Sequence, residues 1–149
     1  MNPFDLKSAL LAKHAQHVAL VHFPIALIAV GVLFDLLALR KQNASLLRAA
    51  YYTVIVAAVS AVPTVATGLL AWQLQFEGKA LRGNLKLHLL LALLSSALIW
   101  VVCWLHIQRQ RQPRAGSTLF RLSVEVAAVA LTLFTAHVGG FVSGVNGPL

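Results

Sequence analysis

The sequence predicts an all-α fold, an integral membrane up-down bundle of four helices. Of its 149 residues, 59% are hydrophobic and only 11% charged, and the mean hydropathy is +0.80. The apolar residues gather into four stretches, each able to cross about 30 Å of hydrocarbon as a helix, which satisfies its own backbone hydrogen bonds. Short polar connections separate them and force successive helices to run antiparallel. Four spans of about 22 residues use roughly 90 positions, so residues 1–149 read as a single four-span transmembrane domain with no room for a soluble one.

The first span covers about 18–39 and holds Asp35 as its only formal charge. Lys7 and Lys13 precede it, as in a signal peptide, but the apolar run is too long for one and ends in Arg40-Lys41 without a small-residue cleavage site. It therefore reads as a retained span. The second span, about 47–72, carries Pro63 among Ser60, Thr64, Thr67 and Gly68, small and hydroxyl residues that accommodate a kink and admit a neighbouring helix. The third covers about 85–107 and the fourth about 119–142, with Glu125 inside. The connections are Arg40–Ser45, Gln73–Asn84 and Gln108–Ser117. The stretch before the first span reads as a flexible amphipathic lead-in (Phe4, Leu6, Leu10, Leu11), with external metal ligands as the alternative role of His14 and His17 just ahead of the span. No internal repeat is visible.

Twelve Lys and Arg against four Asp and Glu give a net charge of +8. The cations interrupt apolar runs and form no stripe with aromatics, which argues against nucleic acid and for membrane topology. Seven of them (Arg40, Lys41, Arg48, Arg109, Arg111, Arg114, Arg121) lie on the face of connections one–two and three–four; five (Lys7, Lys13, Lys79, Arg82, Lys86) lie on the face of both termini. The positive-inside rule puts the seven-cation face in the cytoplasm and both termini outside. A single cysteine, Cys103, excludes an internal disulfide and reads as a small packing residue.

Ionisable residues inside a membrane are costly, so they point to function by default. Counting along the spans places His22, His88 and His137, on spans one, three and four, at one level. Each lies roughly 6–8 Å below the terminus-bearing surface at about 1.5 Å per residue. Two imidazoles from facing helices can sandwich haem iron, and three with an open position suit zinc or copper. Each histidine can equally hydrogen-bond a neighbouring helix. Ala26, Ala29, Gly68, Ala71, Gly139 and Gly140 leave space for a flat group, and Lys86 and Arg82 could pair with haem propionates. His106 follows His88 by five turns, about 27 Å deeper, and reads as an interfacial residue beside Trp104 and Arg109 with no histidine partner. Glu125 stands four residues after Arg121, a helix ion-pair spacing, and Asp35 lies within reach of Arg40 or Arg48.

The stretch His17-Val18-Ala19-Leu20-Val21-His22-Phe23-Pro24-Ile25-Ala26-Leu27 resembles the opening motif of a bacterial membrane-protein family, domain of unknown function 2231. Six successive residues from His22 match, and His17 has the offset of the motif's first histidine, with Val18 where the family has proline. Thr67-Gly68 followed by Trp72, His88 at the start of span three, and Ala136-His137-Val138-Gly139-Gly140 match further features, while Ser143-Gly144 replaces a histidine-glycine pair. The resemblance implies four spans in a bacterial inner membrane and singles out His22, His88 and His137. It implies no activity.

The leading reading is a redox protein holding one haem b near the outer face. His22 and His88 would be the axial ligands, with His137 hydrogen-bonding the site or replacing one of them. Electrons would pass between quinol and an external acceptor, with the lipid bilayer and other membrane redox subunits as partners. The alternatives are a zinc or copper site and a structural or assembly subunit whose polar residues join helices. No catalytic residue is assigned.

Overall fold

The computed structural model describes residues 15–75, 81–112 and 116–144. They form four α-helices and, among the described residues, no strand: α1 (Ala15–Lys41), α2 (Ala44–Gln75), α3 (Gly83–Arg111) and α4 (Thr118–Val142). Every helix extends to or past its predicted span, because the flanking polar residues continue the backbone hydrogen bonding beyond the apolar core. Most of the lead-in, including His14, lies outside the described residues, as do Lys7, Lys13, Lys79 and Arg114. His17 does not belong to a flexible lead-in. It stands in the first turn of α1.

Local chemistry sets the ends. Asn43 begins α2 by accepting the amides of Ser45 and Leu46 on its side-chain oxygen at 2.9 and 3.2 Å. Ser117 caps α4 in the same manner through Phe120 N–H. Two of the prolines sit inside continuous helices, Pro24 in α1 and Pro63 in α2. Proline removes the amide that would bond the carbonyl one turn back, and for Pro24 that carbonyl belongs to Leu20. The Thr64 hydroxyl of α2 lies 3.2 Å from it and 2.8 Å from Ser60 O. A side chain of the neighbouring helix thus stands where the backbone donor is missing.

The helices pack around a ring, most extensively α1 on α2 and α3 on α4, with α2–α3 and α4–α1 closing it. Small residues permit this approach. Ala50, Val54, Ala57, Ala58 and Ala61 form the buried stripe of α2, and Gly31 faces Val54 so closely that a Cβ on it would lie 2.8 Å from Val54 Cγ2. Ile28, Val32, Ile99, Val102, Cys103 and Ala128 complete the core. In no span is more than 33% of the most apolar window buried inside the bundle. Leu33, Val59, Leu94 and Phe134 are among the large apolar side chains that face outward. Only a lipid solvent accepts that much exposed hydrocarbon.

The two hairpins repeat one another, contrary to the expectation from sequence. Residues 71 positions apart occupy equivalent places: 17 and 88, 28 and 99, 57 and 128, 64 and 135, 68 and 139. The identities are His, Ile, Ala, Thr and Gly, and in α1 and α3 the run Ala26-Leu27-Ile28 recurs as Ala97-Leu98-Ile99. Apolar residues substitute freely for one another across most of the remaining positions, which hides the repeat inside a uniformly hydrophobic sequence.

Candidate functional site

The repeat converges on two histidines. His17 of α1 donates from Nδ1 to the Thr64 carbonyl of α2 at 3.0 Å, and His88 of α3 donates from Nδ1 to the Thr135 carbonyl of α4 at 3.2 Å. Each ring lies against a glycine one turn further along the same helix. A Cβ on Gly68 would come within 2.9 Å of His17 Cε1, and one on Gly139 within 2.9 Å of His88 Cε1. Glycine is required at both places because the imidazole occupies the volume that any other side chain would take. The two rings face each other across the bundle with centroids 6.5 Å apart and planes at 78°.

The hydrogen bonds assign the tautomer. A carbonyl only accepts, so Nδ1 carries the proton in both rings, and in a neutral imidazole the lone pair is then on Nε2. This is the form in which metal-binding histidines are held, with the non-ligating nitrogen tied to a carbonyl.

Around the rings lies a cavity of about 620 Å³ between the helices, lined by residues of all four, including Val21, Ile25, Val65 and Leu89. Its volume lies in the range of small-molecule pockets, and its walls are mostly apolar with a few polar groups. His22 and His137 also line it, but from exposed positions. His22 donates from Nδ1 to Val18 O of its own helix at 2.7 Å, and His137 stacks edge-on against Phe141 at 5.2 Å. The expected facing of His22 and His88 is therefore corrected. The ring set opposite His88 is His17, because it lies about one turn and a half before His22 and so on the inner side of α1. Depth along the helix selected His22; the angle around it selects His17. The recurrence of His, Thr and Gly at 17, 64 and 68 and again at 88, 135 and 139 is the sequence signal that identifies His17.

The opposite end of the bundle holds a second polar cluster. Asp35 of α1 and Glu125 of α4 are wholly buried, and Arg121 of α4 and His106 of α3 are 5% and 2% exposed. Arg121 Nη1 donates to both carboxylates, Arg109 Nη1 donates to Asp35 Oδ1 at 3.1 Å, and His106 Nε2 donates to Glu125 Oε1 at 2.9 Å. The expected Arg121–Glu125 pair is present. Asp35 pairs with Arg121 and Arg109, not with Arg40 or Arg48, because it points into the bundle while those two are exposed. His106 is likewise buried and bonded to Glu125, and so is a core residue of the bundle and not an interfacial one.

Lys86 and Arg82 are exposed at the start of α3, on the histidine end, and are not among the residues that line the cavity. Cys103 is buried in the core, as a packing residue would be.

No curated protein and no solved structure matches this chain. A family model does match, over residues 13–147, which contain both histidine motifs and all four helices. By that match the chain belongs to the family described as predicted membrane protein, DUF2231.

Proposed function

We propose that this membrane protein holds one haem b between His17 and His88 near the terminus-bearing face and works as a one-electron carrier. One observation carries the reading: two imidazoles from separate helices, both held in the ligating tautomer, with ring centres 6.5 Å apart. Imidazoles bound on opposite sides of one metal ion at about 2.0 Å each put their centroids roughly 6–6.5 Å apart. The angle between two imidazoles that would share one metal ion is not fixed, so 78° is compatible.

The surroundings support the same group. The cavity is apolar and lies between helices, where bundles build cofactor sites. Gly68 and Gly139 let the rings sit back against the helices and keep the space between them open. His22 and His137 line the cavity and supply hydrogen-bonding or exchangeable ligand positions, and Lys86 and Arg82 supply cations for propionates. Haem with two nitrogen ligands supplies reversible one-electron exchange, and its shallow placement suits transfer between membrane quinol and an acceptor outside.

The test is a reduced-minus-oxidised spectrum of the purified protein together with haem and metal stoichiometry. One iron per chain with sharp α and Soret bands, abolished in H17A and in H88A and retained in H22A, is the expected result. Zinc or copper at one per chain without iron, or no bound group after expression with haem supplied, overturns it.

A further inference from the structure

The cavity at the other end of the bundle carries a proposal of its own, independent of the haem. Between the C-terminal turns of α3 and the start of α4 lies a crevice of about 280 Å³ lined by Gln108, Arg109, Ser117 and Arg121, with Trp104 and Phe120 at its edges. Among the described residues two cations line it and no acid does; the countercharges, Asp35 and Glu125, are buried. Arg121 is 5% exposed, yet its Nη2 has no acceptor among the described residues, although Nη1 serves two carboxylates. A buried guanidinium donor without an acceptor is costly, so this group points to a ligand oxygen. Ser117 opens α4, whose N-terminus adds the positive end of a helix dipole and has no acidic residue in its first turn to offset it.

We propose that this crevice binds the phosphate of an anionic phospholipid headgroup. The chemistry recognised is a phosphate oxygen that accepts hydrogen bonds from Arg121 Nη2 and Arg109. The source is lipid because the crevice sits at the end of membrane-spanning helices. There Trp104 and Phe120, both more than half exposed, offer an aromatic rim at the depth of the glycerol backbone. Basic pockets between spans on the cation-rich face have this composition, and that face meets the more anionic leaflet.

Native mass spectrometry of the full chain released from nanodiscs tests the site, with phosphatidylglycerol and phosphatidylcholine present in equal amounts. Wild type retains one phosphatidylglycerol per chain in preference to phosphatidylcholine. Each arginine near the phosphate contributes about 1 kcal/mol, which converts to about fivefold, so R109Q lowers the preference about fivefold. R109K keeps most of it, and R40Q/K41Q, which removes cations of the same face outside the crevice, leaves it unchanged. Arg121 is unsuitable as the sole probe because its loss strands two buried carboxylates; the Arg109 side chain is 27% exposed, and its loss leaves Asp35 paired with Arg121. Equal retention of the two lipids overturns the proposal. So does a loss of preference in R40Q/K41Q that matches the loss in R109Q, which assigns the effect to general surface charge. Displacement of the lipid by inorganic phosphate at the same concentration also overturns it, assigning the crevice to free phosphate.

Discussion

The two ends of the bundle use equivalent positions of the repeated hairpins in opposite ways. At the histidine end both hairpins place the same residues in the same roles: His17 and His88 as rings, Thr64 and Thr135 as carbonyl acceptors, Gly68 and Gly139 as the space behind. At the other end the equivalence is positional only. Asp35 stands where the second hairpin has His106, Val54 where it has Glu125, and Ala50 where it has Arg121. The physical reason lies in what each end must satisfy. At the histidine end each ring needs only a carbonyl acceptor and the space over a glycine, which both hairpins supply alike, and on the proposed haem reading the two rings would serve as like ligands. A buried ion cluster needs opposite signs, and identical residues related by the repeat would set like charges side by side. A duplicated scaffold fixes where side chains meet but not what they are.

The comparison breaks most sharply at the ligand level. H17A or H88A is expected to remove the bound haem entirely, read as loss of the α and Soret bands, whereas D35N leaves those bands in place. An effect of D35N on the bands equal to that of H88A would mean that the two ends are not separate sites. Next in size, E125A and D35A leave the buried Arg121 short of one of its two countercharges. Each is expected to destabilise the protein by about 3–5 kcal/mol, measured as thermal unfolding in detergent.

A smaller effect tests the symmetry itself. G68A and G139A each push a Cβ to 2.9 Å from an imidazole carbon. Both are expected to cost about 1–3 kcal/mol and to perturb the haem spectrum to a similar degree. Strongly unequal effects would show that one hairpin supports its ring and the other does not. The smallest effect concerns Thr132, which occupies the place of Ala61 and has a buried hydroxyl without a partner among the described residues. T132V is expected to be neutral or to stabilise the haem-free protein by up to about 1 kcal/mol, read from the same unfolding midpoint.

Much of this was legible in the residues. Long apolar runs with short polar breaks have few solutions in a bilayer, and the four helices follow. Where prediction and structure diverge, the reason is angular. His22 lies inside the apolar run and at the right depth, so it stood out, but it is exposed at the cavity's edge and bonds a carbonyl of its own helix. His17 precedes the run by one residue and so read as lead-in. Asp35 has Arg40 within five residues, yet bonds to Arg109 and Arg121, 74 and 86 residues away.

Taken by itself, the sequence determined the class of the protein, its four crossings and the depth of each polar residue, because hydrophobic length and helical rise are one-dimensional quantities. Only the tertiary structure decided which side chains meet. That depends on the rotation of each helix about its axis, set by the small-residue stripes along which the helices approach. Those contacts turn His17 toward His88 and gather Asp35, His106, Arg121 and Glu125 into one buried cluster.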